Sequence, residues 1–226
     1  MVSDTKNKMA CALERTVALG LCNSFKNNLR IFNAPMTKGQ HFKGVDKAGT
    51  ILLNDYKLVN KLTATGNFGS ITVHDSPDPE KTLIDDILKH TECQSDMVLA
   101  LGGDHLMSFY SIAAQLIRAG PGNLGVVWCD AHTDINTQAT SVTGNKHGMV
   151  VAALMGLESF WGQTISEDYK LPPENIVYIG ARDIDPPEQE LLKKFNIKCY
   201  TSEQVKKWGV NRIMDKVLYS DLAHVQ

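Results

Sequence analysis

The regular alternation of short apolar runs with stretches of helical spacing constrains the fold of this chain more than any other feature. The runs are "LRIFNAP" (29 to 35), "SITVHD" (70 to 75), "MVLAL" (97 to 101), "LGVVWCD" (124 to 130), "NIVYIGA" (175 to 181) and "IKCYT" (197 to 201). Each is strand-length, rich in Val, Ile or aromatic residues, and bounded by Gly, Pro, Asp or Asn. Between them, "DPEKTLIDDILKH", "HLMSFYSIAAQLIRAG", "HGMVVAALMG", "PPEQELLKKF" and "TSEQVKKWGVNRIMDKVLYSDL" repeat their apolar residues at helical intervals, with caps such as Ser202 followed by Glu203. Near-continuously apolar strands separated by helices indicate a parallel sheet covered by helices on both faces, hence the α/β class. At 226 residues one core and one domain are expected.

A formal net charge of -2 gives no basic field for nucleic acid and no cationic face for a membrane surface, so the expected partner is a small molecule. Five scattered cysteines without a CxxC pair suggest neither a disulfide framework nor a zinc knuckle and favour a reducing, cytoplasmic setting. Residues 1 to 28 read as an N-terminal extension before the first strand. Its mildly apolar "MACALERTVALGLC" is interrupted by Glu14 and Arg15, which argues against a secretory signal and leaves a mitochondrial presequence as the alternative.

In open parallel sheets, ligands bind beyond the carboxyl ends of the strands. The polar clusters fall there: "GGDH" (102 to 105) follows the third run, "DAHTDIN" (130 to 136) the fourth and "RDIDPPE" (182 to 188) the fifth. Asp130, His132 and Asp134 occupy alternate positions, so their side chains point the same way wherever the chain stays extended. Two carboxylates that close oppose each other's ionisation unless a cation lies between them. A capping role explains one aspartate, not an aligned set. His105 from the neighbouring strand end would complete a group of imidazole and carboxylate ligands. Without cysteine at ligand spacing, that donor set suits manganese or another hard divalent ion better than structural zinc.

These segments also carry a resemblance. "LGGDHLMSFYSI", "VVWCDAHTDINTQATSVTGNKHGMVVAAL", "IGARDIDPPE" and "NAPMTKGQHFKGVDKAG" resemble the ureohydrolases, and among them the arginase family, from about Leu29 to the last residue. The resemblance implies a three-layer α/β/α sandwich around a mostly parallel sheet, over residues 29 to 226. It implies two Mn²⁺ ions and hydrolysis of L-arginine to L-ornithine and urea by a metal-bridged hydroxide, in subunits that form trimers or larger assemblies. Carried over by position, His105 and Asp134 match ligands of the first metal, His132 a ligand of the second, and Asp130 a carboxylate that bridges both. His147 matches the histidine to which proton transfer is assigned. Asn136, Ser141 and Thr143 match positions that bind the substrate carboxylate, and Asn145 in the same loop offers a further amide for it. Asp185 and Glu188 match acidic groups that hold the α-amino group, although each also suits a helix cap ahead of "EQELLKKF". An agmatine-type substrate would not need such an amino-acid clamp.

The sequence also departs from that pattern. Two further metal-ligand aspartates, in a DxD pattern on a later strand, have no counterpart, because the chain reaches "SDLAHVQ" where that strand should begin. The acidic residue used near the guanidinium group is also missing. Leu106 stands where Ser is usual, Phe42 where a basic residue is usual and Thr50 where Pro is usual. Two readings follow: an arginase whose C-terminal part lies outside these residues, or a short non-catalytic isoform or paralogue that binds metal or a partner subunit. Either way, these residues alone should hold metal weakly and release little urea. A nucleotide-binding doubly wound domain is disfavoured, since neither G-x-G-x-x-G after the first strand nor G-x-x-x-x-G-K-[ST] occurs.

Overall fold

A computed structural model describes residues 26–91, 93–160 and 165–225 of the chain. Residues 1–25, within the expected N-terminal extension, lie outside them. The six apolar runs form β1 (Leu29–Ala34), β2 (Ile71–Asp75), β3 (Met97–Gly102), β4 (Val126–Cys129), β5 (Ile176–Ala181) and β6 (Lys198–Thr201). The helices are α1 (Ala48–Asn54), α2 (Leu58–Ala64), α3 (Pro79–His90), α4 (Met107–Ala119), α5 (Val150–Leu154), α6 (Pro186–Lys194), α7 (Ser202–Trp208) and α8 (Val210–Lys216). No helix among the described residues is long and apolar enough to cross a membrane.

Every strand pairing is parallel, as strands joined by helical crossovers require. The strands fall into two three-stranded sheets, ordered β2-β1-β3 and β4-β5-β6, rather than one continuous ladder. β1 and β5 are the central strands, and their side chains alternate between two helical layers. Leu29 and Ile31 of β1 pack towards Leu53, Leu58 and Leu62 of α1 and α2, whereas Phe32 and Ala34 join the large core beneath α3, α4 and α5. In β5, Val177 and Ile179 meet Ile213 and Val217 around α8, while Ile176 and Tyr178 enter that same large core. This period of two, apolar on both faces, produces the three layers. Fully burying one such aliphatic or aromatic side chain contributes about 1.5–3 kcal/mol.

Two local expectations are corrected. The last helical stretch begins with Thr201 rather than Ser202 as its cap: the Thr201 hydroxyl accepts the Gln204 N–H at 3.3 Å, and Gln204 Oε1 accepts the Thr201 N–H at 2.9 Å. It then breaks at Gly209, whose φ of 81° lies in the left-handed region that glycine enters without strain, so α7 and α8 are separate helices. The crossover from β1 to β2 holds α1 and α2, which the apolar pattern did not reveal. Their largest side chains include half-exposed Ile51 and Leu52, and that blurs the helical period.

Candidate metal centre

The exit of β3 is fixed by close packing and by one buried carboxylate. At Gly103 a Cβ would lie 1.9 Å from the Met36 carbonyl oxygen, so only glycine allows this approach to the exit of β1. The next residue, Asp104, donates its N–H to that same Met36 oxygen at 2.9 Å. Its side chain accepts the Gly39 N–H at 2.8 Å and the Leu106 N–H at 3.0 Å. Leu106, the departure from Ser noted above, is wholly buried in the main core and anchors the start of α4. His105 stands between these two anchors, its ring against that of Trp128 with centroids 4.7 Å apart.

The exit of β4 is a loop rather than a prolonged strand. β4 ends at Cys129, and Asp134 adopts φ 48°, a left-handed conformation that Asp tolerates better than most side chains. The strict alternation expected of Asp130, His132 and Asp134 therefore stops short. Asp130 and Asp134 converge on His105, with Nδ1 of His105 2.7 Å from Asp134 Oδ2 and 3.3 Å from Asp130 Oδ2. His132 sits on the other side of Asp130, its Nδ1 3.5 Å from Oδ1, which also accepts the His132 N–H at 3.1 Å. The two oxygens of Asp130 thus face two different imidazoles. Beneath the loop, wholly buried α5 supports it, and Val151 donates its N–H to the Asp134 carbonyl at 2.8 Å.

His105, Asp130 and Asp134 offer ligand atoms all within 4.8 Å of one another, and they form the one such group of three or more among the described residues. Burial works to lower the His105 pKa, but the hydrogen bond and charge of Asp134, with the charges of Asp130 and Asp104, outweigh it and hold the pKa above its ordinary value.

All the residues singled out in the sequence line a single cavity of about 780 Å³ beyond the carboxyl ends of β3, β4 and β5. Asn136 is already engaged: its Nδ2 donates to Asp185 Oδ2 at 3.0 Å, and its Oδ1 accepts the Thr140 hydroxyl at 2.9 Å. Ser141 and Thr143 each accept a backbone N–H, from Gly144 at 3.1 Å and Asn145 at 3.3 Å, and so shape the loop that carries them. The buried Oδ1 of Asn145 has no partner among the described residues. His147 is held at its backbone, with its N–H donating to Gly39 O at 3.1 Å. Glu188 is buried at the first turn of α6. Its Oε2 accepts the N–H of the cap residue Asp185 at 3.0 Å, and its Oε1 accepts the Ile135 N–H at 3.2 Å. Burial raises the Glu188 carboxyl above the usual carboxylate range despite those two donors. The capping role and the cavity lining thus belong to one side chain, which clasps α6 to the metal loop.

Two residues of this centre were not singled out in the sequence. Asp104 falls within "GGDH", where only His105 was taken as a ligand. Its signal was a charged residue directly after two glycines, which is common in turns. Asp183 lines the cavity with Oδ2 3.4 Å from His132 Nε2, and the backbone N–H groups of Arg182 and Asp183 both donate to Ala131 O at 2.9 and 3.0 Å. The alternation of Asp183 with Asp185 in "RDID" carried that signal.

The model of the arginase family matches residues 27–223. An arginase of Neurospora crassa is 38% identical over 146 residues, covering 61% of this chain and 40% of that protein. An arginase of Brevibacillus brevis is 34% identical over 221 residues, covering 88% of this chain and 70% of that protein. Among solved structures, the Entamoeba histolytica arginase in complex with L-ornithine superposes with a TM-score of 0.74 at 26% identity, over 86% of this chain and 71% of that one. The chain thus spans only 40% of the first of these relatives' length and 70% of the second.

Proposed function

This chain belongs to the arginase family, and from that premise we propose that its cavity binds L-arginine beside a two-manganese centre and serves hydrolysis to L-ornithine and urea. The observation that carries the reading is the Asp130 carboxylate placed between two imidazoles, with Asp134 on one side. The donor set fits the ion. Imidazole nitrogen and carboxylate oxygen are ligand types that a hard divalent ion takes, and those of His105, Asp130 and Asp134 lie within 4.8 Å of one another. His105 and Asp134 would hold one ion, His132 the second, and Asp130 both.

When bound, such a metal pair supplies Lewis acidity that activates water at neutral pH and offsets the carboxylate charge. The chain's own residues do the rest. Asn136, Ser141, Thr143 and Asn145 receive the substrate carboxylate with amide and hydroxyl groups, which adds no charge that would compete with the ligands. Asp185 holds the α-amino group, and Glu188, both of whose oxygens already meet backbone N–H groups, orients Asp185. His147 accepts a proton and returns it to the departing amine. Firm retention of two ions needs several protein ligands on each, and the group of three found among the described residues, with His132 beside it, is small for that. These residues alone are therefore expected to hold manganese weakly and to produce little urea. The clamp is tested by thermal shift in saturating Mn²⁺: L-arginine should stabilise the protein more than agmatine, which lacks the carboxylate. Equal or greater stabilisation by agmatine would remove the basis for an amino-acid substrate.

A further inference from the structure

The segment that leaves β1 crosses both the turn that carries His105 and the turn that carries His147. Met36 O accepts the Asp104 N–H at 2.9 Å. Further along, Gly39 donates its N–H to Asp104 Oδ2 at 2.8 Å, while its carbonyl accepts the His147 N–H at 3.1 Å. Gly39 is buried, and a Cβ there would lie 2.5 Å from Asp104 Oδ1 and 2.9 Å from Leu106 Cβ, so its backbone is pressed against that carboxylate. The other oxygen, Asp104 Oδ1, accepts the Leu106 N–H at 3.0 Å. A carboxylate that only capped the start of α4 would need no partner 65 residues away in the sequence. Each oxygen of Asp104 serves one N–H, and ionised acceptors make stronger hydrogen bonds than neutral ones.

We propose that Asp104 is a positioning residue which, acting through Gly39, fixes His147 relative to His105; this rests on the reading of His105 as a metal ligand and of His147 as the proton carrier. His105 follows Asp104 directly, and Leu106 beyond it is held by the same carboxylate, so a displaced Asp104 moves the ligand. The Gly39 backbone passes the same constraint to the N–H of His147. A second anchor of the His147 turn is the buried α5 that follows it, whose Val151 N–H bonds Asp134 O at 2.8 Å. The turn is thus tied to the exit of β4 through α5 and to the exit of β3 through Gly39. A general acid or base works only within hydrogen-bond reach, about 2.6–3.2 Å, of the proton it moves, and a misplacement of about 1 Å can cost about a hundredfold in rate. Asparagine cannot replace Asp104, because an amide has a single oxygen for the two N–H donors.

Hydrogen exchange of the whole metal-free chain, read residue by residue by NMR, tests the link. In Asp104→Ala neither Gly39 nor Leu106 keeps its side-chain acceptor. The Gly39 and His147 amides should then exchange at least about tenfold faster, over and above any factor shared by the paired amides of β4 and β5, as loss of a hydrogen bond to a charged group implies. The His147 ring resonances should move in the same variant, while those of His90 and His224, paired with Asp86 O and the Asn175 side chain, keep their positions. Acceleration of every amide by one common factor, with the His147 ring unmoved, makes Asp104 purely structural and overturns the proposal. Acceleration at Gly39 that stops short of His147 overturns it as well. If the variant does not fold, the wild-type chain in sub-denaturing urea carries the test: the Gly39, Leu106 and His147 amides should open as one unit, with one opening free energy and one urea dependence. Separate opening of His147 overturns the proposal. None of these measurements uses Mn²⁺, so a chain that failed to bind the metal would count against the proposed function and leave the link between Asp104 and His147 standing.

Discussion

Replacing Asp134 with Asn tests the metal centre with little disturbance of the fold. Asn tolerates the φ of 48° at this position as well as Asp does, and its amide oxygen can still accept from His105 Nδ1, now 2.7 Å from Asp134 Oδ2. What disappears is one full charge and one of three converging ligand atoms. If the wild-type chain binds Mn²⁺ as proposed, the ion at a hundredfold excess over its dissociation constant should stabilise the folded state by about 2.7 kcal/mol. For a chain of this size that corresponds to a rise of about 5 to 11 °C in the melting midpoint. Loss of a charged ligand should weaken binding by at least about a hundredfold, so the same Mn²⁺ concentration only equals the variant's dissociation constant and contributes about 0.4 kcal/mol, roughly 1 °C. Differential scanning fluorimetry across a Mn²⁺ titration reads the difference directly, with the metal-free midpoint of each protein as its own baseline. Equal Mn²⁺-dependent shifts for the two proteins would refute the assignment of Asp134 as a ligand.

The His74 ring stacks between Phe32 and His90, with centroids 5.1 and 4.2 Å away, and burial, followed by the charges of His90 and Arg30, lowers its pKa against the opposing charge of Asp86. Below its ordinary value of 6.5 the unfolded chain takes up a proton that the folded chain resists, so stability should fall as pH drops from 6.5 through the folded value. Chemical denaturation of His74→Phe at a series of pH values should show a flatter profile in that window. An unchanged slope would point to other groups. Burial pushes the Cys199 thiol up to about 11, so at neutral pH it carries about a hundredfold less thiolate than an ordinary thiol of pKa 9.0. Timed alkylation with mass mapping should find Cys199 modified far more slowly than exposed Cys93 and Cys129, and similar rates for all three would contradict its burial. Gly103→Ala sets a methyl group against the Met36 carbonyl and should cost about 1–3 kcal/mol of stability, because backbone rather than a flexible side chain must yield. The same variant should bind Mn²⁺ more weakly, as it shifts His105, and an unchanged denaturation midpoint would show that the β3 exit is softer than drawn.

The strands of this chain were determined by the sequence alone. β5 is apolar along its whole length, and β1 at four of its six positions, because both faces of each strand are covered. The polar segments at the strand ends, with His105, Asp130 and Asp134, were legible for the same reason: in a parallel sheet the carboxyl ends share one edge. Other features depend on distant residues that no local pattern announces. Whether Asp134 continues an extended chain or turns left-handed depends on α5 docking below it through the Val151 N–H. That Glu188 clasps Ile135 as well as its own helix needs the exits of β4 and β5 side by side. The order of the described strands, with β1 between β2 and β3 and β5 between β4 and β6, is likewise a tertiary outcome. Apolar runs specify that strands form and which faces are buried, whereas the hydrogen-bonding edges that choose neighbours are backbone groups common to every residue.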